Sequence, residues 1–214
     1  MPECVWFTLD QTGSGSRDNE GLGLMSAFSL PNILTYGRIV AVPAVVACFT
    51  LPGLPSDTSR WVAFWLFVIA AITDFFDGYL ARAWHQQSAL GRMLDPIADK
   101  LLVASLLLVL VDAHTIQGVT TIAAVIILCR EILVSGLREF LAELRVSVPV
   151  SWLAKWKTTV QLIALGFLVV GPAGEKVLPH TVEIGVVLLW LAAVLTLYTG
   201  YDYFRAGIRH LLEE

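Results

Sequence analysis

The sequence predicts an all-α, polytopic membrane protein with six transmembrane helices and both termini in the cytoplasm. Composition is the first reason. Of 214 residues, 57% are hydrophobic and 15% are charged, whereas a soluble domain carries about a quarter charged residues. The second reason is a set of apolar stretches near 31–50, 61–82, 93–112, 118–139, 156–172 and 182–204. Each is close to the roughly 20 residues that a spanning helix needs. No alternating strand pattern accompanies them, which leaves helices as the spanning structure. The third reason is the placement of positive charge. Arg17, Arg82, Arg92, Arg138, Arg145, Lys155, Lys157, Arg205 and Arg209 fall on one side of this topology, and Arg60 and Lys176 on the other. Positive residues favour the cytoplasmic side, so the N-terminus, 82–95, 138–157 and the C-terminus are expected there. Little of the chain is left for a soluble domain, and no nucleic acid partner is expected.

Residues 1–28 are expected to form a cytoplasmic tail or interfacial segment, and 29–214 the six-helix domain. The first 24 residues, MPECVWFTLDQTGSGSRDNEGLGL, lack the apolar run of a signal peptide, and Met25 is an alternative start. Pro31 suits the first turn of the first helix, where its missing N–H does no harm. Pro43 lies inside that helix and is expected to kink it unless neighbours satisfy the freed carbonyl. Residues 51–60 (LPGLPSDTSR) and 172–181 (PAGEKVLPHT) read as outside turns. His85, Gln86, Gln87 and Ser88 read as a short cytoplasmic turn, and 140–155 as the longest inside connection. Cys4, Cys48 and Cys129 show no spacing of a disulfide framework or zinc site. Cys48 and Cys129 are expected as small buried thiols within apolar helices.

Four aspartates interrupt this apolar chain between residues 74 and 99. Asp74 and Asp77 are three apart and Asp95 and Asp99 four apart, so each pair shares one face of a helix. Two antiparallel helices would bring both pairs to one place. An aspartate at the centre of a spanning helix costs ~2.5–3.5 kcal/mol, and intramembrane acids are functional by default. Protein cations look too few to neutralise them. Arg82 lies five residues past Asp77 on a different part of the helix, and Lys100 is the other cation nearby in sequence. An all-oxygen ligand set favours hard ions such as Mg²⁺ or Mn²⁺, and paired metal ions are a common clamp for phosphoryl transfer. Gly78 and Ala81 would let a base or diphosphate approach the backbone closely, or would serve helix packing. Arg82 would hold a phosphate with its planar fork, or would anchor the helix at the cytoplasmic surface.

Asp77-Gly78-x2-Ala81-Arg82-x8-Gly91-x3-Asp95-x3-Asp99 resembles the signature of the CDP-alcohol phosphotransferase family at every fixed position, with Asp74 as the additional upstream aspartate. The segments PNILTYGR, CREILVSGLREF and VSWLAKWKTT extend the resemblance over about residues 29–205, toward the branch whose acceptor is glycerol 3-phosphate. The resemblance implies a six-helix enzyme of the inner membrane, usually a homodimer, with a polar cavity open to the cytoplasm among membrane lipids. It implies transfer of a phosphatidyl group from CDP-diacylglycerol to an alcohol with release of CMP. Asp74, Asp77, Asp95 and Asp99 would then hold two divalent ions. Asp99 would also act as general base on the acceptor hydroxyl. Asn32, Thr35, Gly78, Ala81, Arg82, Ser88 and Gly91 would line the CDP-diacylglycerol site.

A glycerol 3-phosphate acceptor is a dianion, so its pocket needs cations. Lys100, Arg130, Arg138, Lys155 and Lys157 are the candidates. Arg130 lies within an apolar span beside Glu131, so a structural ion pair is its competing role. Lys155 and Lys157 are alternatively plain cytoplasmic charges. An inositol phosphate acceptor would need similar cations. Outside this chemistry, an intramembrane prenyltransferase or a cation transporter also places acids in a membrane. Prenyltransferase motifs lie far apart in sequence, and transporters often show internal repeats and broken helices. This chain has all four acids within 26 residues and no visible repeat.

Overall fold

The computed structural model describes residues 30–51, 53, 55–84, 89–144 and 152–212. The expected tail, the alternative start at Met25 and the turn at 85–88 lie outside them. Among the described residues six long helices follow one another: α1 (Leu30–Thr50), α2 (Ser56–Trp84), α3 (Ala89–Asp112), α4 (Thr120–Glu143), α5 (Trp152–Val170) and α6 (Thr181–Leu212). A short 3₁₀ turn, Gly171–Lys176, links α5 to α6. No strand occurs among the described residues.

The helix limits follow from local chemistry. Pro31 sits in the first turn of α1, and the helix runs on unbroken through Pro43. Asp112 closes α3, and the turn beyond it is held by Thr115 and Ile116, whose N–H groups both donate to Leu110 O at 3.0 Å. α5 stops at Val170 because Gly171 takes φ +51°, a left-handed conformation that glycine adopts at little cost, and Pro172 then cannot continue the helix. The second and third helices begin earlier than the apolar runs suggest, at Ser56 and Ala89. Polar residues at a membrane surface stay helical without being apolar.

Among the described residues, four helices contain stretches long and apolar enough to cross a membrane: Ile33–Thr50, Thr120–Ala142, Trp156–Lys176 and Thr181–Arg205. The helices α2 and α3 carry the aspartates and are not among them. They still have 29 and 24 residues, and even the shorter is about 36 Å long at 1.5 Å per residue, against a hydrocarbon core of about 30 Å. Large apolar side chains point outward on every helix, among them Val40, Trp65, Leu108, Ile132, Ile163 and Val187. Such a surface is untenable in water and suits lipid. Cys129 is also exposed and Cys48 half-buried, so the expected burial of both thiols does not hold. Lipid is as apolar as a core, and hydropathy does not tell the two apart.

The interior is built from Val45, Phe67, Leu106, Leu110, Ile127, Leu165, Leu168 and Leu189, with alanines between them. Small residues let helices approach. Gly166 rests against Phe64 and Phe67, and a Cβ at Gly185 would lie 2.9 Å from Leu168. α1 packs against both α2 and α3, and α6 against both α4 and α5, while α2 meets α5. The expectation that α2 and α3 face one another directly is therefore modified. Among the described residues they pack on α1 far more than on each other, so α1 lies between the two acidic faces.

Two contacts fix the register of α2 on α5. Arg60 Nη1 donates to Val169 O at 3.3 Å, and Gly166 lies against Phe64 and Phe67. The helices are antiparallel, and the same register continued along both brings Lys157 level with Asp74. On α4 and α6, Arg130 meets Thr199 and Arg138 stacks over Tyr203, so these two run parallel. Asp74, Asp99, Arg130 and Lys157 thus gather toward one end of the bundle. The other end is tied by Arg60, which also donates to Thr115 Oγ1 at 2.8 Å and lies over the Phe49 ring.

Candidate active site

The acidic faces of α2 and α3 converge on one side chain of α1. Arg38 Nη2 lies 2.6 Å from Asp74 Oδ1, and Arg38 Nη1 lies 2.7 Å from Asp99 Oδ1. Arg38 is 1% exposed, while the side chains of Asp74 and Asp99 are 43% and 50% exposed. The guanidinium is therefore buried, while the two carboxylates it binds are about half exposed. This corrects the expectation that protein cations are too few or too distant. The cation comes from the first helix, 36 residues before Asp74 in sequence, and only tertiary packing brings it in. A signal was available: Arg38 is an arginine inside an apolar span, and such a residue needs a partner.

Thr35 is buried on α1, one turn before Arg38, and Gly91 is buried on α3. The side chains of Asn32, Asp77, Ala81, Arg82, Asp95 and Lys155, together with Gly78 and Ser88, lie outside the described residues. Among the described residues no set of three or more metal-binding side chains is complete. The two carboxylates that are described do fit a divalent ion. Their donors are hard oxygens, they arrive from different helices at one point, and each is about half exposed.

A second polar cluster lies between α4, α5 and α6. Lys157, almost fully buried, is paired with Glu131. Arg130 reaches the same carboxylate oxygen at 3.4 Å and donates to Thr199 Oγ1 at 3.2 Å. The pairing of Arg130 with Glu131 considered from sequence is present, and Lys157 joins it. Two cations on one carboxylate leave a surplus positive charge. Arg138 adds to it: its guanidinium sits 5.7 Å from the centre of the Tyr203 ring, a cation–π distance. Lys100 points elsewhere, with Nζ donating to Pro96 O at 3.2 Å. Thr199 and the buried Gln161 and Thr196 were not singled out from sequence. Their signal is a set of polar residues at one level of three apolar helices.

A family profile described as CDP-alcohol phosphatidyltransferase matches residues 28–198. This chain belongs to that family. The matched region of this CDP-alcohol phosphatidyltransferase contains all four aspartates, Arg38, Arg130, Glu131 and Lys157. Curated relatives point the same way. A protein of Rickettsia bellii is 48% identical over 178 residues, covering 83% of this chain and 94% of the relative. One from Shigella flexneri is 42% identical over 190 residues, covering 87% and 99%. One from Cereibacter sphaeroides is 38% identical over 220 residues, again covering 87% and 99%. All three are named CDP-diacylglycerol–glycerol-3-phosphate 3-phosphatidyltransferase.

Proposed function

We propose that this chain transfers a phosphatidyl group from CDP-diacylglycerol to sn-glycerol 3-phosphate, giving phosphatidylglycerol phosphate and CMP. Membership of the family and the names of relatives up to 48% identical support the reaction. The structural observation that carries the reading is the convergence of Asp74 and Asp99 on Arg38, at the end of the bundle that also holds a surplus of positive charge.

The acceptor hydroxyl attacks the β-phosphorus of CDP-diacylglycerol, and the bond from that phosphorus to the bridging oxygen breaks as CMP leaves. Asp99 takes the hydroxyl proton as general base. Asp74, Asp77, Asp95 and Asp99 would hold two Mg²⁺ or Mn²⁺ ions, which supply positive charge against the diphosphate and the departing CMP. Asn32, Thr35, Gly78, Ala81, Arg82, Ser88 and Gly91 form the CDP-diacylglycerol site, with Thr35 and Gly91 lining it from α1 and α3. The acceptor phosphate is bound by cations of the later helices. Arg130, Arg138 and Lys157 are supported by the two-to-one excess of cations over Glu131, and the α2–α5 register sets Lys157 level with Asp74. Lys100 and Lys155 complete the set read from sequence. The lipid tails stay in the bilayer, and the enzyme works as a homodimer in the inner membrane. Its active site and both termini face the cytoplasm, as the positive charge of that side favours. Residues 29–214 make up the catalytic domain.

The test is CMP release by purified protein in detergent, with CDP-diacylglycerol and Mg²⁺ or Mn²⁺. Glycerol 3-phosphate, inositol phosphate, inositol and serine are offered singly. Release is expected with glycerol 3-phosphate alone, and Asp99→Asn is expected to lower it by a factor of about 10²–10⁴, the usual worth of a positioned base. Release driven by another acceptor would keep the chemistry and overturn the substrate.

A further inference from the structure

Arg38 is the most buried cation among the described residues, and it takes part in no step of the reaction above. It binds carboxylates from two other helices, and both carboxylates belong to the set assigned to the metal ions. We infer that Arg38 is a built-in counter-ion that stands in for metal charge whenever the site is empty of metal. The inference rests on the metal reading of the aspartates.

The physical need is clear from the geometry. Carboxylates on α2 and α3 bind the two ends of one guanidinium, close enough for their like charges to repel. Without a resident cation, the metal-free protein would hold acids of like charge together at a junction of three helices, and α2 and α3 would separate from α1. Arg38 removes that strain and pins the three helices through one fork, a geometry that a guanidinium provides and an ammonium does not. Arg38 is buried while both carboxylates are about half exposed, so an arriving ion can reach them from outside. The cost falls on affinity. A divalent cation entering the site meets the positive charge of Arg38 and shares the carboxylates with it. Arg38 is thus a positioning residue that trades metal affinity for an intact metal-free site.

The experiment measures Mn²⁺ binding by electron paramagnetic resonance, and thermal midpoints in Mn²⁺ and in EDTA, for wild type, Arg38→Gln and Arg38→Lys. Loss of the nearby charge is expected to tighten Mn²⁺ binding of Arg38→Gln by roughly tenfold. Its midpoint should fall much further in EDTA than in Mn²⁺, widening the gap between the two conditions. Arg38→Lys, which keeps the charge and loses the fork, should fall between. An Arg38→Gln protein that folds only with Mn²⁺ present would also support the inference. Equal Mn²⁺ affinity, with the same loss of midpoint in both conditions, would reduce Arg38 to a packing residue and overturn it. If Arg38→Gln folds under neither condition, Arg38→Lys decides: an intermediate gap supports the inference, and a wild-type gap with wild-type affinity overturns it. Absence of Mn²⁺ binding by the wild type would overturn the metal reading itself, and this inference with it.

Discussion

Among the described residues of α1, α2 and α3, one arginine serves two carboxylates; among those of α4, α5 and α6, one carboxylate serves two cations. Both clusters sit in apolar helices at the same end of the bundle, and each leaves a charge of one sign in excess. The excess differs in what it asks for. The acidic half, with Asp77 and Asp95 close by in sequence, calls for cations from solution. The basic half, with Arg130, Lys157 and Arg138 around Glu131, calls for an anion. A membrane protein built only for stability would balance each cluster internally, since an uncompensated buried charge is costly. Under the proposed function, the acidic half would hold the metal ions and the basic half the acceptor phosphate.

The contrast is sharpest for the two carboxylates that sit at the heart of each half. Asp74→Asn should abolish turnover and spare the fold. It takes one of two carboxylate charges from Arg38 but leaves an amide oxygen that can still accept from the guanidinium, with Asp99 as the charge partner, so the midpoint in EDTA should fall far less than in Arg38→Gln. The rate of CMP release should drop at least about a hundredfold, as when one preorganised charge-stabilising group is lost. A retained rate would break the assignment of the acidic half to catalysis.

Glu131→Gln should do the reverse and strike stability first. It leaves Arg130 and Lys157 together in a buried setting without their shared carboxylate. Breaking a buried pair in this way costs about 3–5 kcal/mol, readable as a lower thermal midpoint in detergent. If the midpoint were unchanged, Glu131 would not be the internal counter-charge, and the cations would need another partner.

Much of this comparison could be read from the chain, and the missing part has a physical reason. The helices were legible because long apolar runs have few other fates. The aspartates were legible because intramembrane acids carry a large cost. Arg38 was missed as their partner because its pairing is a tertiary fact: α1 wedges between α2 and α3, and no spacing along the chain encodes that. The starts of α2 at Ser56 and α3 at Ala89 were blurred because hydropathy marks where a helix enters lipid, not where it begins. The exposure of Cys129 was hidden because a lipid-facing and a core-facing residue look alike. In the basic half Arg130 and Glu131 were visible as neighbours, whereas Lys157 and Thr199 joined them only through folding.

Arg138→Gln tests whether the surplus charge serves the acceptor. Arg138 is exposed and stacked on Tyr203, so its loss should leave the midpoint nearly unchanged. If it binds the phosphate of glycerol 3-phosphate equally in the ground and transition states, KM for that substrate should rise by about tenfold with kcat held, the pattern of lost uniform binding. A fall in kcat with KM unchanged would move Arg138 toward the reacting phosphorus. No change at all would return it to a surface anchor.

The smallest effect should come from Gly200→Ala, which probes how tightly the basic half is held. A Cβ at Gly200 would lie 3.2 Å from Arg130 Cγ and 3.9 Å from Val134 Cγ2. Alanine is favoured over glycine within a helix by up to about 1 kcal/mol, which offsets the crowding. Arg130 must then shift by a few tenths of an ångström, and its bond to Thr199, already 3.2 Å long, should lengthen. The midpoint should stay within a few degrees of the wild type, and KM for glycerol 3-phosphate should rise no more than about twofold, because small displacements of a single charge change its Coulomb energy little. A tenfold loss from this one methyl group would mean that Arg130 touches the acceptor directly and that its placement by Gly200 is part of the site. The wild-type value would mean that Arg130 acts through charge alone, from behind Lys157.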